Sequence, residues 1–380
     1  MAISLGSALL ASATAALGVG SVVVVATTSG PWRGGAREAA HENTPVVGSA
    51  EVPAGVVQTI TGGPDSKGPP VDGPPGAARF GEPSGVALRA GGQMIVVDFL
   101  NRIVLTIDDQ GNSTRIGGSG EQGTADGPAL TSSFYGPSDV AVASDGAIFI
   151  ADGAGHRIRE LRDGKLTTLA GGGQPGLSTG SFADGPGADA RFDNAAGIAV
   201  DLDGTLLVAD YNNNRIRRVT RSGLVTTVAG TGEYGSKDGP AMSANFAYPV
   251  ALAVDSTGAI YVLEHGNNAL RKIGRDGTVS TVVPRTLPFT ADSALSYASA
   301  VAVDDVGTVY IADTGADRLL KIAADGKVQV IVGRTGDPGF VDGAAGQAKV
   351  KGPQGLAWSP TTNSLIFVDT GNSAIRKVGF

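Results

Sequence analysis

The stretch "FDNAAGIAVDLDGTLLVADYNNNRIRRVTRSGLVTTVAG", residues 192–230, decides the fold. It divides into four short segments of β-type composition, "GIAVD", "TLLVAD", "RIRRVT" and "LVTTVAG", with turns such as "LDG" and "RSG" between them. Small and β-branched apolar residues punctuated by Gly, Asp and Ser make an antiparallel meander. One such sheet leaves its faces and edges exposed, so it has to be repeated to bury itself.

It is repeated. "IVVD" ending at Asp98 recurs as "IFIAD" at Asp152, "LLVAD" at Asp210, "IYVLE" at Glu264, "VYIAD" at Asp313 and "LIFVD" at Asp369, at intervals of 54, 58, 54, 49 and 56 residues. Six copies of one supersecondary unit fill residues 54–380. Six four-stranded antiparallel sheets packed face to face around an axis make a six-bladed β-propeller, an all-β solution to the edge problem. The sixth copy stops after its third segment, "AIRKVGF", while the region opens with an orphan fourth segment, "GVVQTITGG", at 55–63. The N-terminal strand is expected to complete the last blade and close the ring.

On these residues the chain resembles an NHL-repeat β-propeller of six repeats. The fourth copy, with "VLEHGNN", and the fifth, with "VVPRTLPFTADSALSYASAV" before its second segment, depart most from the pattern.

Composition sets the bounds around this core. The 58 glycines show no period of three, which rejects a collagen-like chain and favours turn-rich β structure. A formal charge of −7 opposes phosphate backbones, so no nucleic acid is expected, although RNA-binding members of the resembled family use a basic top surface. The absence of cysteine excludes disulfides and thiolate ligands. No charged side chain precedes Arg33, and "LLASATAALGVGSVVVVA" is long enough for a signal peptide or a single membrane anchor. The expected organisation is a signal or anchor over 1–30, a flexible linker over 31–53 and the propeller over 54–380. The propeller is expected outside the cytoplasm as a monomer, touching a membrane only through an uncleaved N-terminal segment.

In this strand order the loops between second and third strands share one face, the top, with the crossovers between blades. Asp and Arg lie five positions apart in the copies at 152, 210 and 313, a spacing that suits a pair pinning each hairpin. An Asp–Gly pair at Asp72, Asp126, Asp184, Asp238 and Asp342 precedes an apolar residue by eight positions, and that residue is expected to plug between blades. What breaks the repeat on the top face is Asp139, His156, Tyr211, Asn212, Asn213, Tyr234, Glu264 and His265. These are the expected contacts for a protein or small extracytoplasmic ligand, with no cofactor and no catalytic residue. The alternative is a calcium-dependent lactonase or esterase, as in gluconolactonase-like propellers, with Glu82, Asp139 and Asn194 as metal ligands. Glu82 and Asn194, however, lie in a different register from the inner-strand position of Asp139.

Overall fold

The computed structural model describes residues 55–176, 180–284, 295–323 and 326–380. The segments expected as signal or anchor and as linker lie outside the described residues, as does half of the altered crossover of the fifth copy. Among the described residues no helix is long and apolar enough to cross a membrane.

Six antiparallel sheets correspond one to one to the six sequence copies and are numbered as blades 1–6 in chain order. Blade 3 contains the four segments of the opening stretch as Ala195–Val200, Leu206–Asp210, Arg215–Val219 and Val225–Ala229, paired in sequence order. The first strands of the blades pack against one another in ring order, the sixth against the first. Second strands such as Leu206–Asp210 are buried along their whole length, which is why they read as unbroken apolar runs.

Closure follows the sequence expectation. Blade 6 contributes Leu356–Ser359, Ser364–Asp369 and Ala374–Gly379, and Val56–Gly62 adds the fourth strand. Val57 faces Val378 and Thr59 faces Arg376 in the ladder. The first and last described segments therefore sit in one sheet, and the ring is held shut by hydrogen bonds and packing.

Crowding at the axis explains the small residues of the first strands. A Cβ on Gly197 would lie 2.5 Å from the Val250 carbonyl oxygen, and one on Gly355 would lie 2.3 Å from that of Ser84. Between each pair of neighbouring blades lies an apolar cluster, six in all among the described residues. Phe80, Phe134, Phe192, Phe246 and Val350, the residues eight positions after each Asp–Gly aspartate, are completely buried in five of these. Leu295 fills the corresponding place between blades 4 and 5.

The Asp–Gly pairs fasten the outer edge. Gly127, Gly239 and Gly343 pair with the fourth strands of blades 2, 4 and 6, and Gly73 and Gly185 bridge to those of blades 1 and 3. All five have φ between +121° and +146°, a region closed to residues with a side chain. Each crossover thus caps the exposed edge of the blade it leads to.

Candidate functional site

The second-to-third-strand hairpins of the top face are organised by buried ion pairs. Arg159, Arg217, Arg271 and Arg376 are fully buried. Each guanidinium joins the acidic residue seven positions before it to the aspartate of the preceding Asp–Gly pair. Arg217 reaches Asp210 at 2.5 Å and Asp184 at 2.7 Å, and it also donates to the carbonyls of Arg191 and Ala183. Arg376 does the same with Asp369 and Asp342, both at 2.7 Å. Asp184 in turn accepts from the backbone N–H and hydroxyl of Thr227 on the outer strand. Burial pushes the Asp210 carboxyl up to about 6 despite Arg217 beside it.

The expected five-residue pairing is corrected in two copies. Arg215 does not bond Asp210; it donates to the carbonyls of Asn213 and Thr231 and lies over the Phe182 ring at 3.9 Å. Nor is Arg157 the partner of Asp152, which pairs with Arg159. Alternation along a strand puts positions five and seven on the same side, so either can approach the carboxylate. In blade 5, where position seven is Leu320, Arg318 at position five pairs with Asp313 at 2.7 Å. In blade 1 neither position carries arginine, and Asp98 instead accepts from the N–H groups of Gly81, Glu82 and Asn101 and from the Asn101 amide.

Several of the sequence-selected residues belong to this scaffold. Glu264 takes the aspartate's place in blade 4, accepting from the Ala247 N–H, Asn267 and Arg271, and burial raises its pKa. Asn213 donates to both Asp210 oxygens and to the Ser181 carbonyl, and Asn212 donates to Asp193. His156 sits in left-handed conformation, and its Nδ1 accepts the Asn194 N–H across the boundary of blades 2 and 3 at 3.0 Å. The same clasp recurs between later blades: Asn214 accepts from the Tyr248 N–H, Asn268 from Tyr297 and Asp317 from Gly352. His156 is fully buried, and desolvation lowers its pKa, with Asp193 opposing.

Asp139 lies on the first strand of blade 2, half-buried beside the axis. Its two oxygens accept the N–H groups of Val140 and Ile198, linking blades 2 and 3, and burial moves its pKa to about 6. Glu82 leads into blade 1, where burial raises its pKa and Lys67 opposes; Asn194 leads into blade 3. Among the described residues no group of three or more His, Asp or Glu side chains could hold a metal ion. With both Asp139 oxygens turned to backbone N–H groups, this donor set does not fit calcium.

The remaining three, Tyr211, Tyr234 and His265, come together with two tyrosines that the repeat comparison does not single out. Tyr211 stacks on Tyr248 with centroids 5.0 Å apart and planes 17° apart. Tyr234 meets Tyr248 edge-on at 5.5 Å, and its hydroxyl donates to the Gly266 carbonyl. His265 lies edge-to-face between Tyr211, at 5.9 Å, and Tyr297, at 6.1 Å. Tyr234, Tyr248 and Tyr297 are 54%, 38% and 52% exposed, so the cluster spans the top of blades 3–5 and faces solvent. His265 is buried beneath it, its pKa lowered to about 4 by desolvation, and its Nε2 has no hydrogen-bond partner.

Tyr248 and Tyr297 hold φ of +51° and +47°. Each lies sixteen positions before the acidic residue of its copy, where blade 3 has Asn194, also at positive φ. Asparagine and glycine adopt this conformation readily, whereas a bulky aromatic residue there is unusual. Counting back from the acid, rather than forward along the hairpin, is the signal that exposes them.

The fold and site define a class: a closed six-bladed propeller with an aromatic patch on its top face. A family model described as NHL repeat matches residues 134–161 and 192–219, in blades 2 and 3. The chain thus carries NHL-repeat matches in two blades of a six-bladed β-propeller. It is 32% identical over 166 residues to Protein SUPPRESSOR OF QUENCHING 1, chloroplastic, of Arabidopsis thaliana. That match takes in 40% of this chain and 16% of the plant protein, a small part of its length. An auxiliary nutrient binding protein from Bacteroides thetaiotaomicron superposes with a TM-score of 0.62 at 14% identity, over 86% of this chain and 76% of that one. A gluconolactonase from Xanthomonas campestris gives 0.56 at 13% identity, over 90% and 96%. At such identities the likeness is one of fold.

Proposed function

We propose that this chain is a binding module, exported or tethered to a membrane, whose top face takes a protein or other extracytoplasmic ligand at the tyrosine cluster of blades 3–5. The observation that carries the reading is the pair of exposed tyrosines held at positive φ, Tyr248 and Tyr297. Strained backbone is retained where a side chain has to be aimed, and such strain gathers at ligand clamps. An exposed aromatic patch of this kind is a recognition surface by composition as well.

Support for binding over catalysis comes from the fates of the polar residues. Asp139, His156 and Glu264 each have a hydrogen-bonding role in blade assembly. The likeness to a nutrient binding protein is compatible with this reading, and the uncharged residues 1–32 suit export. The competing reading, a calcium-dependent hydrolase with Glu82, Asp139 and Asn194 around the metal, would require Asp139 to release the Val140 and Ile198 N–H groups first.

One experiment addresses both. Extracytoplasmic extract is passed over immobilised protein carrying either the native sequence or the Tyr248→Asn/Tyr297→Asn pair, which keeps residues tolerant of positive φ. Retention of a component by the first and not the second is expected. Equal retention by both defeats the assignment of the site. Calcium that survives desalting and disappears in Asp139→Ala would favour the hydrolase instead.

A further inference from the structure

Resting on that reading, the geometry points to a ligand class: the tyrosine cluster is a platform for an uncharged polysaccharide, bound by ring stacking rather than by charge. Three observations lead there. The first is how the rings are arranged. Tyr211, Tyr248, Tyr234, His265 and Tyr297 pack on one another at centroid separations of 5.0–6.1 Å. Neighbours that close leave no hollow between them for a cation to enter, as an aromatic cage requires. What they offer is an outward surface, and the substantial exposure of three tyrosines shows that it is open.

The second is charge. The cluster consists of four phenols and an imidazole that burial keeps neutral until about pH 4. The chain as a whole carries a formal charge of −7, which disfavours polyanions such as uronic-acid polymers or nucleic acid. A pyranose ring has an apolar face of C–H bonds with partial positive charge, which matches the negative face of an aromatic ring without any ionic contact.

The third is the hydrogen-bonding capacity around the rings. His265 Nε2 is buried and unpartnered, and the Tyr211 and Tyr297 rings lie edge-to-face against its imidazole. A neutral imidazole nitrogen either donates or accepts, depending on tautomer. A sugar hydroxyl does both, so it satisfies Nε2 in either tautomer once a surface ring shifts to admit it. An ammonium or a carboxylate satisfies only one. An unmet buried polar group is costly, and a ligand that meets it gains from doing so.

The test is affinity electrophoresis of the full chain in native gels containing mixed-linkage β-glucan, xylan, galactomannan or amylopectin, with alginate and polygalacturonate as anionic controls. Retardation is expected in at least one neutral gel and in neither anionic gel. Tyr248→Asn and Tyr297→Asn are each expected to weaken it by about tenfold or more, equivalent to about 1.4 kcal/mol. Tyr234→Ala, at an exposed position with ordinary backbone, gives the same direction of change without a folding risk. Unretarded migration in all four neutral gels overturns the polysaccharide. Retardation in the anionic gels equal to that in neutral ones overturns it too. If the polysaccharides fail while a proline-rich decapeptide binds in a manner lost in Tyr248→Asn, the site stands and the ligand class falls. Retardation that all three variants leave unchanged removes the site itself.

Discussion

Asp210 and Arg217, seven residues apart on paired strands and both fully buried, form an ion pair of 2.5 Å that also ties in Asp184 from the preceding crossover. The charges are removed from water together, so the pair matters less for its attraction than for what happens when one member is lost. Blade 5 shows a second solution with the same chemistry: leucine at position seven and Arg318 at position five. Blade 3 already contains both parts, because Arg215 stands at position five.

Arg217→Leu is therefore expected to be partly rescued by Arg215 turning from the Asn213 and Thr231 carbonyls to Asp210. The double variant Arg217→Leu/Arg215→Gln, which strands a buried carboxylate, is expected to lose about 3–5 kcal/mol. That loss should exceed the sum of the single losses by at least about 1 kcal/mol. Urea unfolding of the four proteins measures this, and simple additivity would show that Arg215 does not reach the carboxylate.

His156 stands out as one of three histidines in the chain, yet its Nδ1 does what Asn214 and Asn268 oxygens do elsewhere in the ring. His156→Asn is expected to keep the clasp and the left-handed backbone. His156→Ala, which loses both, is expected to cost about 2 kcal/mol, at least about 1 kcal/mol more than the asparagine variant. Thermal or denaturant melts discriminate the two, and equal destabilisation would mean the clasp contributes nothing.

The architecture was legible because propeller blades repeat backbone hydrogen bonding and apolar burial, and both have a period that sequence carries. The same period hid part of the site. Residues that break the pattern, such as Glu264, read as functional, although one extra methylene lets glutamate make the aspartate's bonds to Ala247 and Arg271. Tyr248 and Tyr297 escaped because their distinction is conformational: only their positive φ, alongside Asn194 in the same place, sets them apart. Spacing alone does not separate Arg215 from Arg217, because alternation puts both on one side of the strand, and depth of burial decides between them.

His265 gives the stability of this protein a particular response to acid. Burial lowers its pKa to about 4 from an ordinary value of 6.5, so between these values the unfolded chain binds the proton and the folded one resists it. Stability is then expected to be flat above pH 6.5, to fall as pH drops toward 4, and to be flat again below that for this group. The full effect is about 3 kcal/mol. In His265→Phe that increment should vanish, so the stability difference between native protein and variant should shift by this amount between pH 7 and pH 4. Asp139, whose folded pKa is raised to about 6, acts in the opposite direction over pH 4–6. It is common to both proteins and cancels in the difference. A pH-independent difference would remove His265 from the account.

Closure of the ring is the most exposed link in the fold, because Val56–Gly62 joins blade 6 from the far end of the propeller sequence. Its Val57 is fully buried against the cluster of blades 5 and 6. Thr59 donates its backbone N–H and hydroxyl to Asp342, the aspartate that also holds Arg376. Losing this strand uncovers the edge of Ala374–Gly379, strips apolar cover from Val378 and removes two donors from Asp342. Deleting residues 54–63 is expected to lower the melting temperature by about 10 °C or more, as a loss of several kcal/mol does in a domain of this size. Thr59→Pro, which removes both donors to Asp342 and keeps the rest of the strand, should give a smaller drop in the same direction. Calorimetry on both variants decides the point. A melting temperature unchanged by the deletion would mean that the ring is held by blade packing alone and that the N-terminal strand is dispensable to it.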